Sequence, residues 1–122
     1  MKVLKNKWFN RFARREKIPD AQLLKVIEET EAGLIAADLG GNIIKQRIPR
    51  PGKGKSGGYR TIIIFKSGDR AFFMFGFAKN DQDNITKHEL AELKRLAKIL
   101  LAYSDDELSH AIKTGNFFEV NE

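Results

Sequence analysis

Apolar residues recur roughly every three to four positions at both ends of the chain and every second position in its middle. Val3 and Leu4 form a short stretch suited to an edge strand, and Trp8, Phe9 and Phe12 then repeat at helical spacing beside Lys7, Arg11, Arg14 and Arg15. Pro19 ends this first helix, Asp20 is placed to cap a second, and Leu23, Leu24, Val26 and Ile27 supply its apolar face before Gly33 loosens it. Gly40, Gly41 and Asn42 signal a turn. Beyond it the period drops to two, with Lys45 and Arg47 on one face and Ile44, Gln46 and Ile48 on the other. Residues 49–58 hold two prolines, four glycines, one serine and three basic residues, which predicts an exposed cationic loop without regular structure. Residues 59–65 and 71–78 are two strand-length runs joined by Lys66, Ser67, Gly68 and Asp69, so they predict a hairpin. Ile62 and Ile64 fall on one face and Ile63 and Phe65 on the other, as in central strands covered on both sides.

Two capping signatures follow. Thr86 with Glu89, flanked by Ile85 and Leu90, starts a helix striped by Leu93, Leu96, Ala97 and Leu100; Ser104 with Glu107, flanked by Tyr103 and Leu108, starts another that Gly115 ends. Phe117 and Phe118 suit a last edge strand or a partner contact. The predicted fold is α+β: two N-terminal helices, an antiparallel sheet, then two C-terminal helices.

Length and composition narrow the class. A chain of 122 residues, 42% hydrophobic and 31% charged, is long enough for one core and short for two, which predicts a single domain over residues 1–122. The absence of cysteine excludes disulfides and thiolate ligands, and His88 and His110 lie far apart, so neither metal nor cofactor is expected. No stretch is apolar enough to span a membrane and the start lacks a signal peptide's apolar run, so the expected location is the cytoplasm.

Charge changes the picture more. The net charge is +6, and the excess sits in one window: between Asp38 and Asp69 there is no acid, while Lys45, Arg47, Arg50, Lys53, Lys55, Arg60 and Lys66 are all basic. Such a window suits a polyanion, although a solvated basic surface or an anchor for an acidic partner accounts for it equally well. Gly54, Lys55 and Ser56 match the end of a nucleotide-binding P-loop, but Pro49 stands where that motif requires glycine and a strand follows instead of a helix. Glycine-flanked lysines do let ammonium groups and backbone amides approach a phosphate together. The two histidines read as helix-surface residues, and Phe72, Phe73, Phe75 and Phe77 read as core, with Phe77 the one placed to stack on a base.

Lys45, Gln46 and Arg47, the glycine-lysine run 52–58 leading into Tyr59 and Arg60, and then Gly76, Phe77, Ala78, Lys79 and Asn80 together resemble the HigB-like branch of the RelE toxin superfamily. The resemblance is close over the middle third, and the flanking helices fit in order. It implies a RelE-like fold, with helices packed on an antiparallel sheet, and a toxin acting as a ribosome-dependent, metal-independent endoribonuclease on messenger RNA. It also implies a cognate antitoxin, often of helix-turn-helix type. The chemistry implied is attack of a ribose 2′-hydroxyl on the adjacent phosphate, giving a cyclic phosphate and a free 5′-hydroxyl.

Such chemistry needs positive charge at the phosphate, a proton acceptor and a proton donor. By likeness to RelE, Lys45, Arg47 and Arg60 are the cut-site set. The resemblance suggests Lys45 as base, Arg47 and Arg60 as phosphate clamps, and Lys79 as acid or second clamp. Arg50, Lys53, Lys55 and Tyr59 are then the RNA-binding residues. The chain departs from RelE at Asn80, where RelE has arginine, and at Thr86, the nearest position to a tyrosine that RelE uses, so the acid and base stay open. Two other readings fit the same residues: a ParE-like gyrase inhibitor without nuclease activity, and an RNA-binding module that cuts nothing.

Overall fold

The computed structural model describes residues 1–50, 54–78 and 85–121, with backbone alone for 54–56. Six strands and four helices make up the described chain. They are β1 (Lys2–Asn6), α1 (Lys7–Arg15), α2 (Asp20–Glu31), β2 (Ala37–Gly40), β3 (Ile43–Arg50), β4 (Gly54–Lys66), β5 (Arg70–Ala78), α3 (Lys87–Leu101), α4 (Asp105–Lys113) and β6 (Phe117–Glu119). One sheet of order β2-β3-β4-β5-β1-β6 carries them, antiparallel except where β1 runs parallel to β5. The α+β expectation holds.

Local chemistry sets the helix ends. Asn6 caps α1 by accepting from the Phe9 amide at 2.7 Å. Both capping boxes form as expected, at Thr86–Glu89 and at Ser104–Glu107. Gly115, at φ 78°, follows the last turn of α4. Asp20 departs from expectation: Pro19 holds the cap position of α2, and the Asp20 carboxylate instead accepts from Lys5 Nζ at 2.8 Å and from the Asn121 amide at 3.0 Å. It thereby ties α2 to both chain termini.

The sheet is packed on both faces, as the doubly apolar strands predicted. One face carries Ile44, Ile48, Tyr59, Ile63 and Phe73 beneath α1 and α2; the other carries Ile43, Ile62, Ile64, Phe72 and Phe77 beneath α3 and α4. Arg70, 7% exposed, donates to the Tyr103 carbonyl at 2.9 Å and the Leu100 carbonyl at 3.3 Å, closing the C-terminal end of α3.

Three strand expectations need correction. β1 is no edge strand, because β6 pairs outside it. β2 was not anticipated: Ala37–Gly40 is only four residues long and includes Asp38 and Gly40, residues that strands disfavour. Most of the anticipated loop 49–58 is strand, since Arg50 pairs with Gly54 across a register shift. Gly58 explains why glycine is needed there. A Cβ on it would lie 2.1 Å from the Ile48 carbonyl oxygen, so only glycine lets β3 and β4 stay paired past the irregularity.

Candidate nucleic-acid interface

Strand alternation builds the site. Arg47 pairs directly with Arg60 across β3 and β4, and Arg60 pairs in turn with Phe77 on β5. One step along, Lys45 pairs with Ile62, and Ile62 with Phe75. These two rows share the α3/α4 face of the sheet, so three basic side chains rise beside an apolar floor. A register shift in β5 helps form that floor: Ile62 opposes Phe75 while Ile63 opposes Phe73, leaving Met74 as the extra residue. That bulge resets the alternation and brings Phe75 and Phe77 onto the side of Arg60, with their ring centroids 6.0 Å apart. Phe77, 5% exposed, belongs to the core.

Two arginines directly opposite each other repel and weaken a strand pair. Arg60 is also half-buried, and its Nη1 is shut from solvent without a hydrogen-bond partner among the described residues. A buried unsatisfied cationic donor costs about 1–3 kcal/mol or more. Neither feature serves the fold. The repulsion is relieved by an anion that accepts from the solvent-facing nitrogens of the two guanidinium groups at once, and a phosphate has the matching geometry.

The opposite face holds these strands still. Gln46, between Lys45 and Arg47, is buried: its Nε2 donates to Thr30 Oγ1 and to the Leu34 carbonyl, each at 2.7 Å, and its Oε1 accepts from the Ala36 amide at 2.9 Å. Thr61 Oγ1, next to Arg60, donates to the Gln46 carbonyl at 3.0 Å. The sequence places Gln46 on the apolar strand face without assigning it a role, although a polar residue among isoleucines was the signal for one.

Tyr59 and Arg50 do not join the arginine pair. Tyr59 is buried on the α1/α2 face, where its hydroxyl donates to Glu16 Oε1 at 2.8 Å, and the Arg50 guanidinium lies 5.5 Å from the centre of its ring. Adjacent residues of a strand point to opposite faces, so Tyr59 and Arg60 cannot share one. Lys53 and Lys79 lie outside the described residues, as does the side chain of Lys55.

The Tyr59–Glu16 bond carries a pH signature. The hydrogen bond from Tyr59 holds the Glu16 carboxyl below the usual carboxylate range, and burial pushes the Tyr59 phenol up. A carboxyl lowered in the folded state stabilises the fold above its unfolded value and loses that contribution as pH falls through the folded one. Tyr59→Phe is therefore expected to cost about 1 kcal/mol at neutral pH. The gap between wild-type and variant melting temperatures should close as Glu16 becomes protonated in acid; a gap unchanged from pH 7 to below the carboxylate range contradicts this role.

A model of the RelE toxin of the RelE/RelB toxin-antitoxin system matches residues 1–120. The chain belongs to the RelE toxin family. Comparison with individually curated proteins gives no match. Toxins of the RelE family are in general endoribonucleases, and membership implies a cognate antitoxin. Among the described residues of this RelE-family toxin, no helix is long and apolar enough to cross a membrane.

Proposed function

We propose that this toxin is a single-domain messenger-RNA interferase of the HigB-like branch, a cytoplasmic, metal-independent endoribonuclease that works on the ribosome and stops translation. The observation that carries the reading is the directly opposed Arg47–Arg60 pair on the α3/α4 face of the sheet.

In this mechanism Arg47 and Arg60 hold the non-bridging oxygens of the scissile phosphate and stabilise the charge that grows on them as the 2′-oxygen attacks. The apolar floor of Ile62 and Phe77 beside Arg60 strengthens that interaction. The 2′-oxygen bonds to phosphorus, the bond to the 5′-oxygen breaks, and a 2′,3′-cyclic phosphate and a 5′-hydroxyl are left. Lys45, two residues from Arg47 on the same face, is the group proposed to accept the 2′-hydroxyl proton. Lys79 is proposed to protonate the leaving oxygen or clamp the phosphate. Arg50, Lys53 and Lys55 are proposed to hold RNA backbone outside the cut site. Tyr59, being buried, serves by fixing the strand that bears Arg60.

Two assays with purified protein separate this reading from its rivals. Translation in a cell-free system should stop with cleaved messenger RNA, and gyrase supercoiling should be untouched. Loss of supercoiling alone indicates a gyrase inhibitor, and salt-sensitive binding with intact RNA on ribosomes indicates a binding module.

A further inference from the structure

Near the arginine pair the sheet loses a strand, and aromatic rings take its place. β1 pairs with β5 no further than Lys5 and Phe73; Asn6, the cap of α1, then donates its side-chain amide to the Met74 carbonyl at 3.0 Å. Trp8, in the first turn of α1, consequently stands against Phe75, with ring centroids 4.4 Å apart and planes inclined by 33°, and stacks on Phe12 at 5.3 Å and 17°. Phe75 lies 6.0 Å from Phe77, which pairs with Arg60. A line of rings therefore leads from the arginine pair to Trp8. Phe9, Phe72 and Phe73 are fully buried, whereas Trp8 and Phe75 keep part of their surface in solvent. Helix α1 adds charge beside them. Lys7, Arg11 and Arg14 follow one another at helical spacing, so they form one exposed stripe next to Trp8, and none makes an ion pair with a described residue.

We propose that Trp8 and Phe75 form a shelf on which a base of the RNA strand stacks, next to the phosphate held by Arg47 and Arg60, while Lys7 and Arg11 hold a neighbouring phosphate. Half-exposed rings beside exposed cations suit a single strand, which offers the face of a base to the ring and its phosphate to the cation. Duplex RNA keeps its bases stacked on one another, so only an unpaired strand can use the rings. The spacing suits neighbouring parts of one strand. Phe75 stands one strand and two residues from Arg60, about 8 Å between Cα atoms for strands about 4.8 Å apart that rise about 3.4 Å per residue. Stacking engages the face of a base and not its edge, so the shelf positions the nucleotide without selecting its identity. The place of the phosphate rests on the proposed cut site; the shelf itself rests on the rings and cations of α1 and β5.

Trp8 is the single tryptophan of the chain, so its fluorescence reports on the shelf directly. The test titrates wild-type toxin at low salt with a short 2′-O-methyl RNA strand, which has no 2′-hydroxyl to react, and with the same backbone lacking its bases. Anisotropy of an end label follows binding in parallel. The base-bearing strand is expected to quench Trp8 emission by about a third or more at saturation, and the abasic strand by less than about a tenth. Trp8→Leu should weaken binding of the base-bearing strand by about tenfold, and Trp8→Phe, which keeps a ring, by less than about threefold, with circular dichroism confirming both folds. Equal quenching by the two strands, quenching by neither, or no binding at millimolar strand overturns the proposal. A folded Trp8→Leu protein that binds like wild type overturns it equally. Base-dependent quenching without cleavage of messenger RNA on ribosomes supports the shelf and removes the interferase reading; cleavage without quenching does the opposite.

Discussion

Arg60→Met is expected to lower cleavage by about 10²- to 10³-fold while making the protein more stable by about 1 kcal/mol. The two changes have one cause. In the free toxin Arg60 faces Arg47 across the strand pair and keeps one guanidinium nitrogen buried without a partner among the described residues. Methionine keeps much of the stem, adds no cavity, and removes both the repulsion and the unsatisfied donor. The same substitution removes the guanidinium proposed to clamp the phosphate during the reaction. A site that is destabilised until its ligand arrives is the usual bargain between stability and function. Arg60→Lys separates charge from geometry, since it keeps the charge and loses the planar fork; an intermediate loss of roughly tenfold is expected. A large fall in melting temperature for Arg60→Met would mark Arg60 as structural.

Gly58→Ala is expected to do the reverse, damaging the fold first and the activity in consequence. The new methyl group would lie 2.1 Å from the Ile48 carbonyl oxygen and 3.0 Å from the Arg50 nitrogen and the Pro49 Cα. All three are backbone atoms of β3, so no side chain can swing aside and the strands must part. The expected cost is about 2–4 kcal/mol, lowering the melting temperature by on the order of 10 °C. The damage falls two residues from Arg60, so cleavage by the protein that still folds should fall as well. Gly76→Ala provides the comparison: its methyl group would come within 2.6 Å of the Phe12 ring, a side chain that can shift, and about 1–2 kcal/mol is expected. Melting curves for the two variants decide the order, and a Gly58→Ala protein as stable as wild type would contradict the close approach of β3 and β4 at Gly58.

Much of this architecture was legible in the residues. Period two in β3 separated Lys45 and Arg47 from Ile44, Gln46 and Ile48, and both capping boxes form where Thr86 and Ser104 placed them, because these are local rules acting over a few residues. What escaped depends on distant pairing. The glycines from 54 to 58 looked like a loop by composition, yet the partner strand draws them into β4, and glycine is what permits the close approach at Gly58. The bulge at Met74 has no local sign; it appears only in the register between Ile62–Phe75 and Ile63–Phe73, and it decides which phenylalanines back Arg60. The place of β1 inside the sheet depends on β6, at the far end of the chain. Tyr59 was misgrouped for a simpler reason: once β4 runs through Tyr59 and Arg60 together, the two must face opposite ways, and Glu16 claims the phenol.

The most direct test of the central claim, that the opposed arginines form an RNA-cutting site, is induced expression in bacteria of wild-type toxin and Arg60→Met at matched levels, with new 5′ ends mapped on messenger RNA. The account predicts growth arrest with 5′-hydroxyl ends in phase with codons for wild type, and neither for the variant. Growth arrest with intact messenger RNA, or cuts that persist in Arg60→Met, would contradict it.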